Sequence, residues 1–193
     1  MKRIAIYCGS ATPADPVYIE SARMVGRTLA ERGIGVVYGG GKLGLMGAVA
    51  DAAMAAGGEV IGVIPDALVT AEVAHQELTR LEVVHTMHER KARFIDLADA
   101  FITLPGGTGT MDELWEALSW AQLGYHRDPI GLLNVAGFYD GLIAFNQHMI
   151  DVGFIRPQHA GLLIADDDLD SLLEKLATAQ PPVSIVQMRR ADL

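Results

Sequence analysis

Residues 100–113 read AFITLPGGTGTMDE, an apolar run that ends in a glycine-rich turn and is followed at once by a helical pattern. The glycines Gly106, Gly107 and Gly109 let the backbone approach a ligand within hydrogen-bonding distance, because they carry no Cβ. The helix predicted after the turn points its unpaired N–H groups and the positive end of its dipole at this spot, which favours an anion. Glu113 is expected in the first helical turn. The stretch therefore predicts a strand, an anion-binding turn and a helix that carries a carboxylate.

Two interpretations of Glu113 fit this spacing. Thr110 and Glu113 match a capping box, in which Thr110 caps the helix and Glu113 reaches back to the cap N–H. An acidic residue in a first turn is also favoured by the helix dipole. The alternative is a catalytic carboxylate beside a bound anion, and the spacing alone does not separate the two roles.

Apolar runs and amphipathic segments alternate along the rest of the chain. Strands are predicted at residues 4–8, 35–38, 60–64, 81–84, 100–104 and 130–133. Helices are predicted at about residues 16–32, 45–56, 87–98, 111–123, 139–152 and 169–177. Several strands lack the polar alternation of a half-exposed strand, so both faces of the sheet are expected to be covered. The pattern predicts an α/β fold, a doubly wound parallel sheet with helices on both faces.

Composition limits the class of protein. A chain of 193 residues fits one domain, predicted over residues 1–179, and residues 180–193 are predicted to form a loosely held tail. The net charge of −9 argues against general nucleic-acid binding. The single cysteine, Cys8, excludes an internal disulfide and favours a reducing compartment. Because no apolar run has the length of a signal peptide or a membrane span, we expect a soluble cytoplasmic protein without a membrane partner.

Glycine-rich loops follow three of the predicted strands. They contain Cys8-Gly9-Ser10, the sequence GGGKLG at residues 39–44 and the sequence PGGTGT at residues 105–110. Ligands of such sheets bind outside the carboxyl ends of the strands, where these loops are expected to meet. The loops together predict a site for a nucleotide or a sugar phosphate.

One of these loops also matches a dinucleotide motif. Gly39, Gly41 and Gly44 fit G-x-G-x-x-G, and Asp66 lies at a sequence distance that fits a ribose contact. The motif follows the second strand rather than the first, and the other glycine loops favour several contacts to one short ligand. The loop also lacks the Lys-Ser or Lys-Thr pair of a Walker A sequence. A dehydrogenase remains a third possibility.

A second informative segment reads TMHERK, from Thr86 to Lys91. Thr86 and Glu89 match a capping box, which places Arg90 and Lys91 near the start of a helix. Cations there face the positive end of the dipole at a cost of roughly 0.3–1 kcal/mol each, and such locally unfavourable choices are typical of functional residues. Arginine offers a planar fork for phosphate or carboxylate, and lysine offers a point charge. The alternative is a solvated basic face with a Glu89–Arg93 ion pair.

The two segments together resemble the LONELY GUY (LOG) family of cytokinin riboside 5′-monophosphate phosphoribohydrolases, also labelled lysine decarboxylase-like. The resemblance extends over about residues 2–177 and includes the sequences CGS, YGGG, WAQLG and GFI that begin at residues 8, 38, 120 and 153. It implies a Rossmann-like fold for residues 1–179 as a single nucleotide-binding catalytic domain. It also implies a homodimer or larger assembly, with active sites near the subunit interface, and no cofactor.

The resemblance assigns roles to individual residues. It implies that Arg90 and Glu113 are the catalytic pair, and that Lys91 binds the substrate phosphate and ribose together with the glycine loop of residues 106–110. Glu72 occupies the position of a substrate-contacting acid, and Ser119 a position where plant members carry threonine. The remaining implied substrate-binding residues lie in the glycine-rich loops: Gly9, Ser10, Gly40, Gly41, Gly106, Gly107, Thr108, Gly109 and Thr110. Residues 71–76 read AEVAHQ, where bacterial relatives commonly read REIAHR.

These residue types fit the hydrolysis of a purine nucleoside 5′-monophosphate, a cytokinin riboside monophosphate or AMP, to free base and ribose 5-phosphate. Cleavage at ribose C1′ builds oxocarbenium character, which a carboxylate stabilises. The alternative is a non-catalytic nucleotide or molybdenum-cofactor carrier, which needs the loops but no positioned carboxylate. No metal site is expected, because only His85 and His88 lie close together and no cysteine is near them. Cys8 is expected to be an inert core residue.

Overall fold

The structure is a computed structural model that describes residues 1–69, 73–181 and 184. The described residues form strands β1 (Arg3–Tyr7), β2 (Gly35–Tyr38), β3 (Val60–Pro65), β4 (Arg80–Val84), β5 (Ala100–Thr103), β6 (Ile130–Leu133) and β7 (Leu163–Asp166). They also form helices α1 (Pro16–Glu31), α2 (Gly44–Ala55), α3 (Met87–Leu97), α4 (Thr108–Leu123), α5 (Asp140–Asp151) and α6 (Leu169–Thr178). Short 3-10 turns lie at Asp66–Leu68, Val135–Gly137 and Pro157–His159.

The strands form one sheet in the order β4-β3-β2-β1-β5-β6-β7, with parallel pairing between neighbours. The chain leaving β1 enters α1 on one face of the sheet, and the chain leaving β5 enters α4 on the other face. A crevice therefore opens between the carboxyl ends of β1 and β5, the place where such folds bind ligands. The predicted α/β fold, with a doubly wound parallel sheet and helices on both faces, is confirmed.

Side chains of the central strand divide between two core layers. Ile4 and Ile6 pack under α1, α2 and α6, whereas Ala5 and Tyr7 pack under α3, α4 and α5. Residues of a strand point alternately to opposite faces, so a strand covered on both sides is apolar throughout. This burial explains why the predicted strands lacked polar alternation, and it fixes the register that brings the strand ends to one edge.

Two local predictions were wrong. Strand β7 (Leu163–Asp166) was not predicted, because it is short, only half-buried and lies at the sheet edge beside β6. Helix α4 begins at Thr108 rather than at residue 111, and its N-cap is Gly107. Thr110 is therefore no cap and packs as a buried residue against the preceding turn. The capping box of Thr110 and Glu113 is absent, and Glu113 is the sixth residue of α4, in its second turn.

The other capping box is largely confirmed. Thr86 Oγ1 accepts a hydrogen bond from the backbone N–H of Glu89 at 3.1 Å. The carboxylate of Glu89 reaches back to the N–H of His85, at 2.8 Å, rather than to that of Thr86. Helix α3 therefore begins where the sequence predicts, and it carries Arg90 in its first turns.

The C-terminal residues of the predicted tail lie mostly outside the described residues. Helix α6 ends at Thr178, and Ser184 Oγ donates a hydrogen bond to the carbonyl of Leu123 at 2.9 Å. The division between a domain over residues 1–179 and a tail over residues 180–193 stays a prediction.

None of the helices in the described part of the chain combines the length and the apolar character that crossing a bilayer requires.

Candidate active site

A cavity of about 250 Å³ lies at the carboxyl edge of the sheet, in the crevice between β1 and β5. Its walls come from the loop after β1, the start of α2, the first turns of α3 and the start of α4. The lining residues are Cys8, Gly9, Ser10, Ala11, Met46, Arg90, Gly107, Thr108, Gly109, Thr110 and Glu113. The cavity therefore brings the predicted catalytic pair together with six of the twelve predicted substrate-binding residues.

The glycines around this cavity fall into two groups. A Cβ on Gly106 would lie 2.1 Å from Thr110 Oγ1, and a Cβ on Gly9 would lie 3.2 Å from Gly106 Cα. These two glycines are needed because the loops after β1 and β5 pack directly together, with Gly9 N donating to Pro105 O at 3.1 Å. In contrast, a Cβ on Gly107 or Gly109 would meet no heavy atom within 4 Å. These two leave the backbone open towards the cavity.

The N-terminus of α4 opens onto the cavity. No side chain among the described residues caps it, and its first turn holds no acidic residue. Its first three residues, Thr108 to Thr110, line the cavity, so unpaired N–H groups and the positive end of the dipole lie at the cavity wall. This arrangement favours a phosphate group.

Arg90 is a buried cation fixed by backbone carbonyls. The residue is 5% exposed. Its Nε donates to the carbonyl of Val63 and its Nη2 to the carbonyl of Gly39, both at 3.1 Å. The guanidinium carbon also lies 5.7 Å from the ring centroid of Phe94, a cation–π contact. These contacts orient the guanidinium towards the cavity.

Glu113 lies opposite Arg90. Glu113 Oε1 is 3.9 Å from Arg90 Nη1, and the two side chains are 11% and 6% exposed. Two opposite charges at this distance in a mostly buried site attract each other strongly compared with the same pair in water. The sequence places a carboxylate and a guanidinium on different helices, and the fold brings them together in one cavity.

The thiol of Cys8 lines the same cavity. Burial, followed by the negative charge of Glu113, raises the pKa of Cys8 far above its usual range. The residue is 6% exposed and therefore remains a neutral thiol, consistent with an inert role. Ala11 and Met46 also line the cavity, and neither residue was predicted to belong to the site. Their position after a glycine-rich strand end was the signal that would have found them.

Lys91 lies outside the cavity lining. Its Nζ is 2.7 Å from Asp112 Oδ2 and also pairs with Glu116. Burial by itself lowers the pKa of Lys91, but the bonds to the two carboxylates outweigh burial and raise it. The structure therefore places Lys91 in an ion-pair cluster between α3 and α4, and its contact with phosphate or ribose stays a prediction.

The remaining predicted residues lie elsewhere. Gly40 and Gly41 are buried in the turn after β2, outside the cavity lining. Ser119 lines a separate cavity of about 150 Å³ between α4 and α5. Gly106 adjoins the main cavity through a neighbouring apolar pocket. Glu72 lies outside the described residues. A role in substrate binding stays a prediction for each of these residues.

The G-x-G-x-x-G loop is explained by packing. A Cβ on Gly44 would lie 2.3 Å from the carbonyl oxygen of Ala11, and a Cβ on Gly39 would lie 2.1 Å from Arg90 Nη2. The predicted ribose partner of a dinucleotide, Asp66, instead lies 3.3 Å from His85 Nδ1 and does not line the cavity. Within the described residues, no group of three His, Cys, Asp or Glu side chains is arranged to hold a metal ion.

Comparisons with known proteins agree with this picture. The family model described as "Possible lysine decarboxylase" matches residues 46–176. Cytokinin riboside 5′-monophosphate phosphoribohydrolase LOG7 of Arabidopsis thaliana is 44% identical over 180 residues, which cover 93% of this chain and 83% of that protein.

Similar solved structures show the same fold. The X-ray structure of TM1055 has a TM-score of 0.70 at 23% identity and covers 93% of this chain and 100% of that one. The molybdenum cofactor carrier protein of Chlamydomonas reinhardtii has a TM-score of 0.67 at 20% identity, covering 92% and 98%. At these identities the likeness concerns the Rossmann-like fold alone. The family match and the identity to LOG7 show that the chain belongs to the LONELY GUY (LOG) family.

Proposed function

We propose that this protein is a hydrolase that cleaves the N-glycosidic bond of purine nucleoside 5′-monophosphates. The products are the free base and ribose 5-phosphate. The observation that carries the proposal is the meeting of Arg90 and Glu113, 3.9 Å apart, in one cavity with the N-terminus of α4, which no described side chain caps. The Arabidopsis relative LOG7, a phosphoribohydrolase of cytokinin riboside 5′-monophosphates, supports the same reaction.

The proposed reaction begins with the 5′-phosphate at the start of α4. Backbone N–H groups of residues 108–110 hold the phosphate, and Gly107 and Gly109 let it approach the backbone. A fixed phosphate orients the ribose, so binding energy from an unreacting group lowers the barrier at C1′. This assignment explains why two of the glycines face open space.

The proposed bond cleavage uses the carboxylate of Glu113 beside C1′. As the bond from C1′ to the purine nitrogen breaks, its electron pair leaves with the base and positive charge develops on the sugar. Glu113 stabilises that charge or accepts a proton from the attacking water, whose oxygen bonds to C1′. The departing base takes up a proton. Arg90 holds the nucleotide across the cavity from Glu113 and assists the departure of the base.

The direct test is incubation of the pure protein with AMP and with isopentenyladenosine monophosphate, followed by chromatography of the free base. We expect base release without an added cofactor, and the ratio of the two rates measures the preference for a cytokinin nucleotide over AMP. Binding of either nucleotide without release of base would contradict the hydrolase and favour a nucleotide carrier. The carrier needs the cavity but gives no role to the Arg90–Glu113 pair.

We also propose a homodimer in the cytoplasm, with the active site near the subunit interface. Helix α5 has no buried residue in this chain, and Phe145 and Phe154 are 55% and 84% exposed. Exposed aromatic side chains of this size favour a covered surface. Light scattering is expected to give twice the 20.7 kDa of one chain.

The proposed location in the cytoplasm rests on the single cysteine, whose buried thiol fits a reducing compartment. Cell fractionation tests this location.

A further inference from the structure

His75 is a buried histidine to which the proposed reaction gives no role, and it is 1% exposed. Its Nδ1 accepts a hydrogen bond from the backbone N–H of Glu77 at 3.2 Å, and its Nε2 lies 2.9 Å from Asp51 Oδ1. Because a backbone N–H only donates, Nδ1 carries no proton, and Nε2 of the neutral ring donates to Asp51. The imidazole therefore ties its own segment to helix α2, which carries Asp51.

The backbone of the same segment pairs with the glycine turn after β2. His75 N donates to Gly40 O at 2.9 Å, and Lys42 N donates to Val73 O at 3.0 Å. An antiparallel β-bridge between Gly41 and Ala74 lies between these two hydrogen bonds. Residues 73–77, here named the strap, are thus bonded across the turn, and the side chain of His75 holds the strap to α2.

The glycine turn after β2 also binds the side chain of Arg90. Gly39 O accepts the hydrogen bond from Arg90 Nη2 at 3.1 Å, and a Cβ on Gly39 would lie only 2.1 Å from that nitrogen. Gly40, the next residue, has a φ of 78°, so the turn has a conformation that other residues rarely adopt. Any movement of the turn displaces a carbonyl that sets the direction of the guanidinium.

We propose that His75 is a positioning residue for Arg90, acting through the strap and the glycine turn. The inference rests on the proposed function, in which Arg90 acts on the nucleotide. His75 does not line the cavity, and the phosphate is assigned to the start of α4. Loss of the imidazole is therefore expected to disturb the orientation of Arg90 while leaving capture of the phosphate intact.

The kinetic test uses His75→Ala with AMP as substrate. We expect kcat to fall about tenfold while KM stays within about twofold, because a misplaced group of this kind weakens the transition state rather than phosphate binding. His75→Gln keeps a donor for Asp51 and is expected to recover kcat to within about threefold of wild type. Unchanged kcat in the alanine variant, or no recovery with glutamine, would overturn the proposal.

His126 is the matched control. It is also buried, at 6% exposed, and its Nδ1 accepts from the N–H of Asp128 at 3.2 Å while its Nε2 lies 2.8 Å from Ala117 O. His126→Ala thus removes equivalent bonds away from the glycine turn. It is expected to lower stability as His75→Ala does, with kcat within about twofold of wild type. An equal loss of kcat in both variants would reduce His75 to a general stabilising role.

Hydrogen exchange separates this proposal from the proposed function. Amides of residues 39–43 are expected to exchange faster in His75→Ala than in wild type or His126→Ala, whatever the enzyme turns over. If the wild type releases no base but the exchange effect is present, the hydrolase is wrong and the strap still holds the turn. If the wild type is active while His75→Ala matches it in exchange and kcat, the positioning role is wrong and the hydrolase stands.

Discussion

The distance between Arg90 and Glu113 fits the roles that we propose for the two side chains. At 3.9 Å, Nη1 and Oε1 attract each other but lie farther apart than normal hydrogen-bonding partners. The two groups therefore attract each other without forming a short ion pair. The carbonyls of Val63 and Gly39 hold Arg90 independently of Glu113. A change at Glu113 is thus expected to alter the chemistry more than the position of the guanidinium.

This independence leads to the first prediction. Glu113→Gln keeps the shape of the side chain but removes its charge, so turnover of AMP is expected to fall about 10³-fold, within the range for a general acid or base. The melting temperature is expected to fall by a few degrees, because the buried attraction to Arg90 is lost, while the protein stays folded at about 25 °C. Asp112→Asn is the control, because Asp112 is the neighbouring residue, lies outside the cavity lining and keeps an oxygen for Lys91. Wild-type turnover in the Glu113 variant would remove the carboxylate from the mechanism.

A second prediction at the scale of single residues concerns Cys8. Because burial and the charge of Glu113 raise its pKa, the thiol is neutral throughout the physiological range. We expect iodoacetamide to leave the folded protein unmodified at pH 8 and to alkylate Cys8 once the chain is unfolded in guanidinium. Intact-mass spectrometry measures the difference. Rapid alkylation of the folded protein would show that the thiol is accessible as a thiolate.

Among the structural elements, the turn between β5 and α4 contains glycines with two different roles. A Cβ on Gly106 would lie 2.1 Å from Thr110 Oγ1, whereas one on Gly107 would meet no heavy atom within 4 Å. Gly107 also has an extended backbone with φ of −94°, outside the left-handed region that favours glycine. The first substitution therefore disturbs the fold, and the second adds a methyl group beside the proposed phosphate site.

The two alanine variants are accordingly expected to differ in kind. Gly106→Ala is expected to destabilise the protein by about 1–3 kcal/mol through overpacking. Gly107→Ala is expected to stay within about 0.5 kcal/mol of wild type in stability and to raise KM for AMP severalfold. Urea unfolding and steady-state kinetics measure both. A Gly107 variant with unchanged KM would place the phosphate away from this turn.

At the scale of the whole molecule, local patterns predicted the sheet and its two helical layers because the central strands are buried on both faces. They missed β7 because Asp166 ends a run of only partly buried residues. They placed the start of α4 too late, because residues 107–110 have the composition of a loop. The helix begins earlier since the packing of Thr110 on Gly106 fixes the first turn.

The site was predictable to the extent that strand ends determine it. The loops after β1 and β5 meet because parallel strands end at one edge, and both loops lie beside Arg90 and Glu113 in the cavity. Side-chain direction was not predictable in this way. Ser119 lies six residues after Glu113 on one helix, about 240° around its axis, and so lines a different cavity. Lys91 follows Arg90 but turns to carboxylates of α4.

The last prediction concerns acid stability, to which the edge of the sheet contributes. At the end of β7, bonds from Lys175 and Ser171 of α6, and then from the N–H of Asp168, hold the pKa of Asp166 well below its usual range. A carboxylate with a lowered folded pKa stabilises the protein above the unfolded pKa of about 3.9, and this contribution is lost as pH falls below it. We therefore expect the free energy of unfolding to fall as pH decreases from about 5 to 3. Asp166→Asn is expected to be less stable at pH 7 and to show a shallower decline, as measured by urea unfolding. An identical pH dependence in the two proteins would show that Asp166 makes no such contribution.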